Sequence, residues 1–226
     1  AAAQLGKKHV LTETFACAGW DVTPKELKRI AEWQYVNGVN LMCQHLYPYS
    51  IRGQRKRDYP AFYSEHNPWT TEFKHFNDYF TRLGYMLAES DEEAEVAVIH
   101  PIHSAYFDYK RNDHKTLDTL EKSFRSLIET LGAMGVGHQF VDEYLLEKYG
   151  YVEGDALVMG EKKYHCVVLP DMAGLDGYTA ELLDEYVMNG GKIWLQGKCP
   201  DYVDGEKVEL GYQSNISVDD LLNPAC

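Results

Sequence analysis

Two polar side chains near the start of the chain, Glu13 and His45, each lie at the end of a short apolar stretch. Strand alternation over residues 9–15 predicts that Leu11, Glu13 and Phe15 share one face. In a barrel of parallel strands, catalytic groups are usually presented at the carboxyl ends of the strands. Glu13 is therefore a candidate catalytic carboxylate, with His45 beside it. The alternative stays open that Glu13 is a structural carboxylate paired with Arg or Lys, and that His45 is a hydrogen-bonded structural histidine.

Three further residues, Trp20, Asp21 and Tyr47, follow the same two stretches and are candidate ligand-binding residues. Tyr47 opens a long loop, residues 47–70, and loops of this length inside a compact unit are usually functional. The chain has 17 Tyr and 4 Trp. Aromatic rings line sugar-binding grooves but also fill ordinary cores, so composition alone does not distinguish the two.

A predicted helix and two strands must position these residues, and the clearest signal is the start of the helix. Thr23 is predicted as the N-cap, Pro24 as the first helical residue and Glu26 as the partner in a capping box, and Gly38 ends the helix. A second buried strand is predicted over residues 39–46. Strand, helix and strand form a β-α-β unit with parallel strands. A second amphipathic helix carries apolar residues at helical spacing: Phe73, Phe76, Phe80, Leu83 and Leu87.

The acidic stretch at residues 90–95 predicts a domain boundary, which divides the chain into residues 1–90 and 91–226. Beyond it, strands are predicted at residues 96–99, 139–141, 156–159, 166–169 and 192–195, with a weaker one at 208–210. Helices alternate with them, notably at 115–134 and 178–188. Continuous apolar strands alternating with helices predict a doubly wound parallel sheet that resembles flavodoxin.

The second domain lacks the familiar catalytic and cofactor motifs. Its first strand is followed by His100-Pro-Ile-His-Ser-Ala-Tyr, which fits neither a dinucleotide-binding glycine motif nor a P-loop. No cysteine stands at a strand-to-helix elbow of the amidotransferase kind. His100 and His103 have no third metal ligand nearby in the sequence, so a loop contact towards the first domain's site is favoured over a metal pair. We therefore predict no metal and no cofactor.

Charge and cysteine content exclude several classes of protein. The net charge is −13, and the only basic cluster is residues 52–57, so nucleic-acid binding is not expected. No apolar run approaches the length of a membrane span. Five widely spaced cysteines without a CxxC pair favour free thiols in a reducing compartment, which predicts a cytoplasmic location.

The order of these parts resembles a known kind of enzyme. Leu11-Thr-Glu-Thr-Phe, Gly19-Trp, the helix that begins at Thr23 and Gln44-His-Leu-Tyr resemble the last two β/α units of a glycoside hydrolase (β/α)8 barrel. Residues 164–171 and 189–193 resemble the amidotransferase-like domain that follows such barrels. The arrangement is similar to β-galactosidases with a trimerisation domain and to large α-L-rhamnosidase-type enzymes.

This resemblance implies that Glu13 is one of two catalytic carboxylates acting on a carbohydrate, with His45, Trp20, Tyr47 and Asp21 in the sugar site. The general acid usually follows the fourth barrel strand, which this chain lacks. The resemblance therefore implies a fragment that is inactive alone and whose partner is the upstream barrel; homo-oligomerisation stays open. The alternative is a non-catalytic α/β module for oligomerisation or partner binding.

Overall fold

A computed structural model of the chain describes residues 1–47, 50–56 and 64–223, with the backbone alone at residues 55 and 56. Part of the long loop predicted to be functional therefore lies outside the described residues. The chain forms two compact units: Lys7–Asp91 with Ala2, and Glu92–Cys226 with Ala1 and Ala3–Gly6. We call them the N-terminal and C-terminal units. Among the described helices, none combines the length and the apolar character needed to cross a bilayer.

The N-terminal unit is built around two parallel strands and two long helices. Its elements are β1 (Leu11–Thr14), α1 (Pro24–Val36), β2 (Leu41–Gln44) and α2 (Phe73–Ala88), with short 3-10 helices at Gly53–Lys56 and Thr70–Glu72. Strand β1 pairs in parallel with β2, and Glu13 lies opposite Cys43. The predicted β-α-β unit is confirmed.

Helix α1 begins where the sequence predicts, because its capping box forms. The Glu26 backbone N–H donates to the Thr23 hydroxyl at 3.3 Å, and the Thr23 N–H donates to Glu26 Oε2 at 2.8 Å. These two bonds satisfy backbone donors that the first helical turn leaves without partners. The helix buries Leu27, Ala31 and Tyr35.

Only one face of the β1–β2 pair is covered by the core of this unit. That core contains residues from α1, α2 and the loop after β1: Phe15, Val22, Leu27, Ala31, Tyr35, Phe73, Phe76 and Phe80. On the opposite face, Leu11 is 59% exposed and Leu41 is 41% exposed. The prediction of two buried strands is therefore wrong for this face. The physical reason is that both helices of the unit pack on the other side of the pair.

The C-terminal unit is larger and alternates strands with helices. Its elements are β3 (Val96–Ile99), α3 (Ile102–Asp108), α4 (Lys115–Met134), β4 (His138–Val141), α5 (Glu143–Tyr149), β5 (Gly150–Glu153), β6 (Ala156–Met159), β7 (Lys162–Tyr164), β8 (Cys166–Leu169), β9 (Gly174–Leu175), α6 (Gly177–Met188), β10 (Lys192–Leu195), β11 (Tyr202–Val203) and β12 (Glu206–Lys207), followed by a 3-10 helix at Asp219–Leu222.

Four of these strands form a parallel sheet in the order β10-β8-β3-β4. The sheet is covered on both faces, because alternate residues of β3 belong to two different cores. Ala97 and Ile99 pack in the core that includes Leu146 and Leu183, from α5 and α6. Val96 and Val98 pack in the core that includes residues of α4. The predicted α/β class is confirmed.

Other parts of this unit depart from the prediction. Strands β5, β6 and β7 form an antiparallel sheet. The strand predicted at residues 208–210 is wrong, because the chain pairs earlier, with β11 antiparallel to β12. Ala1 and Ala3–Gly6, grouped by sequence with the first domain, belong to this unit. The Gln4 side-chain amide donates to the Tyr164 hydroxyl at 2.8 Å and to the Phe140 carbonyl at 3.1 Å.

Candidate functional site

Glu13 and His45 lie together at the carboxyl end of the β1–β2 pair. The His45 backbone N–H donates to the Thr14 carbonyl at 2.9 Å and so extends the ladder one residue beyond β2. His45 Nε2 is 3.9 Å from Glu13 Oε1, beyond hydrogen-bond distance. The Glu13 side chain is 64% exposed and the His45 side chain 17% exposed. A carboxylate open to solvent beside a largely buried imidazole can act on a bound ligand as a base or nucleophile.

The chain turns sharply directly after Glu13. Phe15 has φ +76° and Cys17 has φ +59°, a region that residues with a Cβ rarely occupy. Strand alternation predicts that Phe15 shares a face with Leu11 and Glu13. This prediction is wrong, because the turn rotates Phe15 away from that face. Its ring points to the helix side and contacts Phe76, with ring centroids 6.0 Å apart. Strained backbone of this kind is common at functional sites.

Trp20 and Asp21 lie in the loop that follows this turn, and both are exposed. Gly19 has φ +90°, and a Cβ built on it would lie 2.8 Å from Asp21 Oδ1. The close approach and the left-handed backbone both require glycine here. Trp20 and Asp21 therefore belong to the same end of β1 as Glu13.

Tyr47 is placed differently, because it lines a cavity of about 390 Å³ in the N-terminal unit. The other described residues around this cavity come from β2, the second 3-10 helix and the start of α2, and they are Gln44, Thr70, Thr71, Phe73, Lys74 and Asn77. The Tyr47 hydroxyl donates to Glu65 Oε2 at 3.3 Å. The structure thus joins Glu13 to His45 by direct proximity, whereas Tyr47 lines a cavity whose described residues do not include Glu13.

A second constellation lies in the C-terminal unit. His103 Nδ1 is 2.8 Å from Asp176 Oδ2 and 3.6 Å from Glu143 Oε1. The Asp176 N–H donates to Glu143 Oε2 at 2.8 Å. Within the described residues, these three form the only group of three or more His, Cys, Asp and Glu side chains close enough to share a metal ion.

Glu143 is the buried member of this group. Burial raises the pKa of its carboxyl to about 7, although the hydrogen bond from the Asp176 N–H opposes the shift. His100 lies at the carboxyl end of β3 but is not part of this group. It lines a cavity of about 360 Å³ between α3 and α4. Burial lowers the pKa of the His100 imidazole.

Sequence reasoning missed Glu143 and Asp176 because they are distant from His103 along the chain. Glu143 follows β4 of the parallel sheet and Asp176 follows β9, which comes after β8, and strand order decides which of these segments become neighbours. The sequence carries one usable signal: Glu143 comes two residues after the strand that ends at Val141, and His103 comes soon after the strand that ends at Ile99. Two polar residues just past the ends of parallel strands meet only if the strands are adjacent, as β3 and β4 are.

Comparison with known proteins identifies the family. Residues 1–206 match the family model described as alpha-L-rhamnosidase, glycoside hydrolase family 106. The chain belongs to the α-L-rhamnosidase family. Among curated proteins, no sequence matches it.

The chain also resembles a solved structure, that of the rhamnosidase from Novosphingobium sp. PP1Y. The TM-score is 0.61 at 20% sequence identity, over 89% of this chain and 18% of that one. At this identity the likeness shows a shared fold. The α-L-rhamnosidase family chain described here therefore spans less than a fifth of that rhamnosidase.

Proposed function

We propose that this chain contributes part of the active site of an α-L-rhamnosidase and that Glu13 is one of its two catalytic carboxylates. The observation that carries the proposal is the exposed Glu13 carboxylate, 3.9 Å from His45, at the carboxyl end of a parallel strand pair in a chain of this family. Catalytic groups in barrels of parallel strands stand at that end.

In the proposed mechanism, Glu13 acts on the anomeric carbon of rhamnose or on the water that attacks it, and a second carboxyl group protonates the leaving oxygen. That acid comes from a part of the protein outside the present sequence. His45 orients the Glu13 carboxylate or a sugar hydroxyl, and Trp20, Asp21 and Tyr47 contact the sugar. The substrate is a carbohydrate that carries an α-L-rhamnosyl group.

The proposal includes a finer assignment of the fold. The elements β1, α1, β2 and α2 are the last two β/α units of a (β/α)8 barrel, and the C-terminal unit is a flavodoxin-like, amidotransferase-like domain. Two features support this. The apolar face with Leu11 and Leu41 has the exposure of a barrel interior whose other strands are missing. The strand order β10-β8-β3-β4 has the chain order of a flavodoxin-like sheet.

The test is a substitution in the longest protein that contains this sequence, assayed on an aryl α-L-rhamnoside. Glu13→Gln keeps the shape of the side chain but removes the charge, and we expect kcat/KM to fall about 10²- to 10⁴-fold. Glu72→Gln is the matched control, because Glu72 is an exposed glutamate paired with His75 at 3.5 Å. It is expected to stay close to wild type.

Equal activity of the Glu13→Gln variant and the wild type would reject the catalytic assignment and favour the non-catalytic module. The chain by itself is expected to release no aryl group, since it lacks the acid. Turnover by the chain alone that disappears in Glu13→Gln would show that both carboxylates lie within it.

A further inference from the structure

The segments that follow β3, β4 and β9 bring His103, Glu143 and Asp176 together. His103 lies in α3, just after β3; Glu143 is the first residue of α5, just after β4; and Asp176 follows β9, which comes shortly after β8. Strands β8, β3 and β4 are adjacent in the sheet. After β3 the chain adds β4 on one side of β3, and it later adds β8 on the other side, so the direction in which strands are added reverses at β3. In open parallel sheets, ligands bind outside the carboxyl ends of the strands at this kind of reversal.

The distances within the cluster suit a shared cation. One ligand atom from each residue lies within 4.8 Å of the other two, and His103 Nδ1 is 2.8 and 3.6 Å from the nearest carboxylate oxygens. In a tetrahedral zinc site with metal–ligand bonds of about 2.0–2.1 Å, neighbouring ligand atoms lie about 3.3 Å apart. Small side-chain movements therefore convert the observed arrangement into a coordination shell.

Glu143 provides a second, independent observation. Its side chain is fully buried. Its Oε2 accepts the Asp176 N–H, whereas Oε1 accepts no hydrogen bond within the described part of the chain and points to His103. A buried carboxylate oxygen without a hydrogen bond costs free energy that a cation would offset.

The surrounding backbone holds the other two residues towards this oxygen. Asp176 is the N-cap residue of α6, yet its side chain does not cap the helix and contacts His103 instead. The Ser104 hydroxyl donates to the Gly174 carbonyl at 3.0 Å and accepts the Gly174 N–H at 3.1 Å. This two-way bond fixes β9, which directly precedes Asp176, to the helix that carries His103.

We propose that His103, Glu143 and Asp176 bind one divalent transition-metal cation, for which zinc is the best match. One imidazole nitrogen with two carboxylate oxygens suits zinc and its neighbours in the first transition row, whereas calcium and magnesium prefer all-oxygen shells. Three protein ligands leave a fourth position for water or a ligand. The bound cation ties together the segments that follow β3, β4 and β9.

The test is calorimetric titration of the metal-free chain with Zn²⁺ and, separately, with Ca²⁺. We expect one zinc ion per chain and weaker or no binding of Ca²⁺. Glu143→Gln and His103→Asn are each expected to weaken zinc binding at least about 100-fold, because each removes a direct ligand. His75→Asn is the matched control: His75 is an exposed histidine beside one carboxylate, Glu72, and its loss should leave the affinity unchanged.

X-ray absorption at the zinc edge identifies the ligands independently. We expect a shell of nitrogen and oxygen at about 2.0–2.1 Å, with no sulfur at about 2.3 Å. The proposal is overturned if the wild-type chain binds no zinc, if both substitutions leave the affinity unchanged, or if the shell contains sulfur. His103 is partly exposed, so His103→Asn remains informative even if Glu143→Gln does not fold.

Discussion

Glu13 and His45 differ in how firmly the fold holds them. His45 is largely buried, and its backbone N–H is part of the strand ladder, whereas the Glu13 carboxylate is open to solvent. The buried partner is therefore the one that fixes geometry, and the exposed partner is the one that a ligand can reach. In the proposed rhamnosidase site, this makes His45 a positioning residue for Glu13.

Replacement of His45 tests this role. His45→Asn removes the imidazole beside Glu13 and keeps a polar side chain of smaller size. In the longest protein that contains this sequence, we expect kcat/KM to fall by up to about 100-fold, the size of effect that misplacement of a reacting group causes. Glu13→Gln should cost more, since it removes the carboxylate itself.

Separate values of kcat and KM distinguish positioning from substrate binding. A fall mainly in kcat indicates that Glu13 is misplaced, and a rise mainly in KM indicates that His45 contacts the sugar. His75→Asn, which alters the exposed Glu72 pair, serves as the control. Kinetics unchanged by His45→Asn would contradict both roles.

Helix α1 depends on its first residues for a defined start. The Thr23 hydroxyl accepts the Glu26 N–H, and the Glu26 carboxylate accepts both the Thr23 N–H and, at 2.9 Å, the Thr23 hydroxyl. The hydrogen bonds from Thr23 hold the pKa of the Glu26 carboxyl below its usual value. The capping box therefore sets the point at which the loop after β1 becomes helix.

Thr23→Ala is expected to destabilise the N-terminal unit by about 1 kcal/mol, because an N-cap hydroxyl is lost. Urea unfolding followed by circular dichroism measures the change. Thr81→Ala is the matched control, since Thr81 is an exposed residue within α2 and alanine is the better helix former there. A Thr23→Ala variant as stable as the wild type would show that tertiary packing alone positions α1.

Elements with strong local signals could be predicted, and those without could not. The capping box at Thr23 and the phenylalanine stripe of α2 are local patterns, and both helices form as predicted. Helix α3 has no side-chain cap and only one fully buried residue, Ser104, so neither capping nor periodicity marks it. Strands β11 and β12 have two residues each, too short for any alternation to be visible.

At the scale of the whole molecule, the C-terminal unit buries a thiol and a phenol hydroxyl in its core, both of which can lose a proton in alkali. Burial raises the pKa of the Cys166 thiol to about 12, and it also raises the pKa of the Tyr164 hydroxyl to about 12. Both groups are therefore held neutral in the folded chain at pH values where the unfolded chain loses these protons.

The expected result is a loss of stability in alkali. The raised pKa of Cys166 contributes to the free energy of unfolding, and this contribution is complete below pH 9.0, the ordinary pKa of the thiol. It is lost as the pH rises towards about 12. Each such group contributes up to about 1.4 kcal/mol per pH unit to the slope. Urea unfolding at a series of pH values from neutral to strongly alkaline measures it.

Cys166→Ala should make this slope shallower while leaving its sign unchanged, because Tyr164 still titrates. The comparison uses the slope rather than the absolute stability, since removal of a buried sulfur also lowers stability at every pH. A slope that is identical in the two proteins would contradict the assignment to Cys166.

The arrangement of strands within each unit explains which part of each site the sequence could predict. Glu13 and His45 come from consecutive strands, and a β-α-β unit places consecutive parallel strands side by side, so their proximity follows from local patterns. The cluster of His103, Glu143 and Asp176 depends on β3 lying between β4 and β8, an order that only the packing of the whole sheet determines. The sequence therefore indicates no metal partner for His103.

The left-handed turn at Phe15 has a consequence for how the chain can change in length. It ends β1 at Thr14 and sends the Phe15 ring into the helix-side core, so the strand is anchored directly after its last residue. Insertion or deletion of one residue between Glu13 and Phe15 would turn Glu13 to the opposite face, beneath the helices, because side chains alternate along a strand. During evolution, insertions and deletions between Glu13 and Phe15 should therefore be removed by selection for as long as the carboxylate is needed.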